Sequence, residues 1–158
     1  MSIKLITLGA TSYSFIKDGV EEYEKRLRKY FKFEIVVIPD VKNRGKLKPI
    51  DLKSEEAVLI TKQIKPTDTL ILLDERGKEF DSTNFARFLQ KALANKNGSL
   101  VFVVGGMYGF DENLKQKADY LISLSRMTSS HQLIRLFFVE QLYRACTILN
   151  GEPYHNEG

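Results

Sequence analysis

SLVFVVGG, residues 99–106, is the stretch on which the fold turns. It is a short, near-continuous apolar run, rich in valine and closed by two glycines. It does not alternate between apolar and polar residues, as a half-exposed strand would, which points to a strand buried on both faces. Four more runs of the same kind flank it: IKLITLG (3–9), FEIVVIPD (33–40), TLILLDE (69–75) and YLISLS (120–125). Between them the apolar residues change period. Ile16, Val20, Tyr23, Leu27 and Tyr30 recur every three or four positions, as do Ala57, Ile60 and Ile64, and then Phe85, Phe88, Leu89 and Ala92. Asp81, Ser82 and Thr83 are suitable caps for the third of these helices. Strands alternating with helices predict an α/β fold, a mainly parallel sheet flanked by helices. With no repeat and no linker, residues 1–158 read as a single domain.

Composition narrows the function classes. At 43% hydrophobic and 28% charged the chain is globular rather than disordered. No apolar run approaches the roughly 20 residues needed to span a bilayer. The start, MSIKLITLGA, is not expected to be a secretory signal, and no membrane partner is expected. Cys146 is the only cysteine and there are two histidines, so neither an intramolecular disulfide nor a Cys/His metal cluster is expected. A reducing, cytoplasmic location follows. The net charge of +4 is gathered in two places, KNRGKLKP (42–49) and EKRLRKYFK (24–32). One such cluster alone is better explained by a solvated face; two on one small domain make a polyanionic partner an equal reading.

The stretch HQLIRLFFVEQLYRACTIL predicts a helix over about 131–149 that is apolar around most of its circumference. Such a helix is buried on more than one side. One sheet face cannot supply that, so a homodimer is expected. Ligands of parallel sheets collect at the carboxyl ends of strands, which here means LLDERGK (72–78), VVGGMYGF (103–110) and SLSRMTSSHQ (123–132). The GGxxG in the second loop lets backbone approach a ligand, and the same pattern also suits a plain tight turn. It matches neither the dinucleotide fingerprint nor a phosphate loop. A helix opening near Asp111 follows it. On the last helix His131 and Arg135 share one face and Glu140 and Arg144 another. Glu140–Arg144 reads equally as an ion pair sealed in an interface, and His131 equally as a residue packed on the Ser/Thr loop.

Taken in order, LITLG (5–9), EYEKRL (22–27), LLDERGK (72–78), VFVVGGMYGF (101–110), SLSRMTSSHQLIRLFFVEQLYRA (123–145) and GEPYH (151–155) resemble the RlmH family, small SPOUT-class methyltransferases once called YbeA-like. The resemblance spans essentially the whole chain. It implies a SPOUT-type fold with a C-terminal trefoil knot, and S-adenosyl-L-methionine as cofactor. Matched position by position, the cofactor-binding residues would be Leu73, Gly105, Leu124, Ser125, Arg126, Met127, Thr128 and Ser129. The implied reaction is methylation at N3 of a pseudouridine in 23S ribosomal RNA, within assembled ribosomes and without a metal. Tyr154 and His155 would position the base and assist its deprotonation, with His131 and Arg144 shaping the site, and the tail would complete the neighbouring subunit's site. A side chain added at Gly105 is expected to enter the pocket and spare the fold. The family pattern has a proline where this chain has Ser130, and a basic residue where it has Asn156. Two other readings stand beside this one: a non-enzymatic ribosome- or RNA-binding factor, and a transferase of the same class acting on tRNA.

Overall fold

The five apolar runs form one five-stranded sheet in the computed structural model, which describes residues 1–94 and 97–157. Gly158, the end of the expected domain and of the tail, lies outside the described residues, as do Asn95 and Lys96. The strands are β1 (Ser2–Leu8), β2 (Lys32–Ile38), β3 (Thr69–Glu79), β4 (Leu100–Val104) and β5 (Tyr120–Ser123), in the order β2-β1-β4-β3-β5. Every pairing is parallel, so the sheet is wholly rather than mainly so. All five residues of central β4 are buried, which is why its sequence shows no alternation.

Helices cover both faces. Ile3, Leu5, Ile71, Leu100 and Phe102 point to the side of α1 (Ser14–Leu27), α3 (Ser82–Ala94) and α5 (Leu133–Leu149). Ile6, Leu72, Val101 and Val103 point to the other, where α2 (Pro49–Thr61) contributes Ile60 and α4 (Glu112–Lys117) contributes Leu114. Each such side chain, fully buried, stabilises the fold by about 1.5–3 kcal/mol. Two aspartates start helices as caps: Asp81 Oδ1 accepts from Asn84 N at 2.7 Å and Asp111 Oδ1 from Leu114 N at 2.8 Å.

The last helix begins at Leu133, two residues later than its apolar pattern suggests. Ser130 Oγ accepts from Leu133 N at 3.0 Å. Gln132 is diverted to the loop after β1, accepting from Ser12 N at 2.8 Å and donating to Ala10 O at 3.1 Å. The broad apolar surface of α5 is largely absorbed within the chain. α1 and α3 flank it, and Gly19 of α1 approaches so closely that a Cβ there would sit 2.7 Å from Leu136 Cδ1. The tail covers part of the outer side, with the Tyr154 ring edge-on to Tyr143 at 4.8 Å. Leu133 (47% exposed) and Phe137 (41%) are the large apolar side chains that α5 leaves open.

β3 pairs with β5 both before and after an arch at 74–77. Gly77 passes so close to β5 that a Cβ would lie 2.6 Å from Ile122 N, which only glycine tolerates. The two basic clusters lie at opposite ends of the sheet. Residues 24–32 close α1 and lead into the start of β2, whereas residues 42–48 follow its carboxyl end. No described helix is long and apolar enough to cross a membrane.

Candidate functional site

The carboxyl ends of β3, β4 and β5 open into one cavity of about 390 Å³, within the range of small-ligand sites. Leu73 and Asp74 reach it from β3, Val104 from the end of β4, Gly105 to Phe110 from the turn that follows, and Leu124, Ser125, Met127, Thr128 and Ser129 from the segment after β5. His131 and Ile134 close it from the start of α5, and Lys53 reaches it from α2. Thr128 Oγ1 donates to Glu75 Oε2 at 3.0 Å, tying the third loop to the first. Ser125 Oγ accepts from Met127 N at 3.0 Å and fixes the bend between them. A second hollow, about 320 Å³, lies at the opposite end among Ser2, Asp68 and Gly98, where parallel sheets do not place their ligands.

Seven of the eight residues expected to hold the cofactor line this cavity. Arg126 does not; its side chain is turned outward, 3.3 Å from Glu79 Oε1. Leu73, Leu124 and Ile134 offer apolar walls, and Ser125 and Ser129 offer neutral hydroxyls. A flat purine with an uncharged polar edge suits such walls, so the residues present fit S-adenosyl-L-methionine. The expectation for Gly105 changes. A Cβ there would meet the Phe110 ring at 3.1 Å, and Phe110 is buried in the core. A branched side chain would therefore unseat Phe110 rather than simply fill the pocket.

His131 is held below the usual imidazole pKa by burial and then by the positive charge of Arg135 and Arg44, so it is neutral near pH 7. Arg135 itself is fully buried. Its guanidinium donates to Leu8 O at 2.8 Å, Gly9 O at 2.9 Å and Thr11 Oγ1 at 3.1 Å, while Nε donates to His131 O at 3.1 Å. It thus locks the start of α5 to the end of β1.

The other three expected residues form a separate cluster along α5. Arg144 donates to Glu140 Oε1 through Nε at 3.1 Å and Nη2 at 2.6 Å, and its guanidinium lies 4.8 Å from the Tyr154 ring centre. Tyr154 Oη donates to Glu140 Oε1 at 3.1 Å and lies 3.1 Å from Tyr23 Oη. Burial, reinforced by these two partners, raises the phenol's pKa, so Tyr154 keeps its proton and acts as a donor. His155 Nδ1 lies 3.2 Å from Arg144 Nη1, and since the guanidinium can only donate, the ring's proton belongs on Nε2. The tail is therefore tied down on its own chain, by α5 and also beyond it: Tyr30 Oη, just past the end of α1, donates to Glu152 at 2.8 Å, and Thr83 Oγ1 of α3 donates to Glu157.

Sequence reading paired Glu140 with Arg144 but missed Glu140 as the acceptor for Tyr154, and it missed Glu56, and Tyr23 as more than a core residue. Helical spacing could have suggested the Glu140–Arg144 pair as the tail's dock. Nothing in the sequence marks Glu56.

The chain matches the family described as "Predicted SPOUT methyltransferase" over residues 1–155. It is 50% identical over 157 residues to Ribosomal RNA large subunit methyltransferase H of Parabacteroides distasonis, covering 99% of this chain and 100% of that protein. The protein of the same name from Flavobacterium johnsoniae is 48% identical over 157 residues, with the same coverage. Among solved structures, the SpoU methyltransferase AviRb from Streptomyces viridochromogenes, in complex with AdoMet, superposes with a TM-score of 0.45 at 12% identity. That match covers 90% of this chain and 57% of the other.

Proposed function

The chain belongs to the SPOUT methyltransferase family, beside the large-subunit ribosomal RNA methyltransferases H, and from that membership we propose its substrate, cofactor and assembly. It is an RNA methyltransferase that uses S-adenosyl-L-methionine to methylate N3 of a pseudouridine in large-subunit ribosomal RNA, in the cytoplasm and within assembled ribosomes. The single observation that carries this reading is the convergence of residues from three strand ends on one cavity, whose walls include the apolar Leu73, Leu124 and Ile134 and the hydroxyls of Ser125 and Ser129. The cofactor, when bound, supplies an activated methyl group that needs no metal. The protein's work is to align N3 with that methyl and to help the N3 proton leave.

Residues 1–158 act as one domain, and two copies pair. Tyr13, Phe15, Leu133 and Phe137 are exposed apolar side chains at the start of α1 and in the first turns of α5. This patch supports a dimer interface there. Along α5, Arg144 is ten residues from Ile134, about 15 Å, so a chain's own tail cluster lies well away from its own cavity. An antiparallel pairing of two α5 helices about Phe137 would set residue 144 of one beside residue 130 of the other. In that arrangement Tyr154 and His155 position the base and assist its deprotonation, with Arg144 shaping the site. The close passage of the 74–77 arch over β5 supports the expected trefoil threading, which is part of the proposal.

Transfer of labelled methyl from S-adenosyl-L-methionine to ribosomes that lack the modification tests the reading, with mapping of the label to N3. Label on no RNA, or on another position, would reject it.

A further inference from the structure

Glu56 sits on α2 and is 9% exposed, with Oε1 closed off from solvent and given no donor among the described residues. It rests against the glycine turn after β4: a Cβ on Gly106 would lie 2.6 Å from its Oε2 and 3.1 Å from its Oε1. Gly106 lines the cavity, so the carboxyl packs directly behind one of its wall residues. Burying a carboxylate without a donor is costly, and the cost is removed either by a proton or by a nearby cation. Burial, and then Asp40, raise the pKa of Glu56 to about 7, against an opposing effect of Arg44. Arg44 is itself held by Asp40 at 3.0 Å. Lys53 lies one turn earlier on α2, His131 and Arg135 belong to the start of α5, and Asp74 and Lys115 face from across the cavity.

We propose that Glu56 is a buried counter-charge for the methyl donor: a cation entering the cavity replaces the proton on its carboxyl. This rests on reading the cavity as the S-adenosyl-L-methionine site. The carboxyl O–H breaks, the proton goes to solvent, and the carboxylate faces the added positive charge; no bond to the ligand forms. Once the methyl has left, the spent cofactor is a neutral thioether carrying one positive charge fewer. Glu56 then takes a proton back. The residue therefore favours the loaded donor over the spent one.

Calorimetry of both ligands at pH 7, in two buffers of different ionisation heat, tests this. Wild-type protein should release up to about half a proton per site with S-adenosyl-L-methionine, since a carboxyl titrating near 7 is half protonated there, and clearly less with S-adenosylhomocysteine. Glu56→Gln should abolish the release and reduce the preference for the donor by about three- to tenfold. Asp40→Asn should keep the release but move its maximum to lower pH, a shift that a merely misfolded site would not give. His131 contributes little, being neutral at this pH. Equal release in wild type and Glu56→Gln, or equal release for both ligands, would overturn the inference and leave the site reading standing. Absence of donor binding by the wild type would overturn the site reading as well.

Discussion

Arg135 shows how a single residue can hold the site without touching it. Among the described residues no carboxylate is a hydrogen-bond partner; three carbonyl oxygens and one hydroxyl take four hydrogen bonds from it. Arg135→Met would leave the Leu8 and Gly9 carbonyls without their donor, at about 1–3 kcal/mol per buried group. Urea unfolding should show the loss, and His131 should lose its fixed position. Glu56 makes a prediction of the opposite kind. Its folded pKa of about 7 lies above the ordinary value of 4.5, so the folded chain binds more protons between those limits. Stability should fall as pH rises from about 4.5 to about 7 and then level off. In Glu56→Gln that fall should be absent; parallel unfolding midpoints for the two proteins at pH 5 and pH 8 would contradict it. At the tail, Tyr154→Phe removes one hydroxyl that donates to Glu140. Cofactor affinity should be unchanged while kcat drops by about 10- to 100-fold, the usual range for a misplaced reactant.

At the scale of the element, α5 joins the two halves of the proposed site. Its first turn bears on the cavity through Ile134, and its middle carries Glu140 and Arg144, on which the tail docks. Phe137→Asp would place a charge at the centre of the proposed pairing, and light scattering should then report 18.1 kDa rather than a dimer. If the variant remains dimeric, the pairing lies elsewhere. Deleting residues 154–158 should leave dimerisation and cofactor binding nearly intact and eliminate methyl transfer. A mixed dimer separates a shared tail from a private one. One subunit carries Ser129→Trp, which crowds the cavity from an exposed lining position; the other lacks the tail. Activity should return if the tail serves the neighbour, because the tail-less subunit keeps a sound cavity. Persistent silence in a folded, paired mixture would exclude sharing.

For the whole molecule the distribution of charge matters more than its total. Arg26 and Arg28 are paired with Glu22 and Glu24 and sit at the far end of the sheet from the cavity. The segment Lys42–Lys48 lies at the cavity end and is the better placed to meet phosphate. Binding to naked RNA hairpins should be weak and should strengthen sharply at low salt, as counterion release requires. Neutralising Lys42, Lys46 and Lys48 should flatten that salt dependence more than neutralising Lys25, Lys29 and Lys32. Turnover should need the assembled ribosome, because one small domain offers little surface for specificity; equal rates on a short hairpin would contradict this.

The five strands, the helices between them and the parallel sheet could be read from residues alone, because a strand buried on both faces must be apolar throughout and its period differs from a helix's. The loops at the strand ends were legible for the same reason, and the residues within them came from resemblance to a family. Three things were not legible. Arg135 and Glu56 look like surface residues in a helical pattern, and only packing decides that one is enclosed by carbonyls and the other pressed against Gly106. The glycine at 105 looks like room for a ligand, whereas the structure assigns that space to Phe110. Nothing local in the tail shows where it docks, and it lies along α5. These depend on contacts between residues as far apart as 8 and 135, or 23 and 154, and local sequence carries no record of such distances.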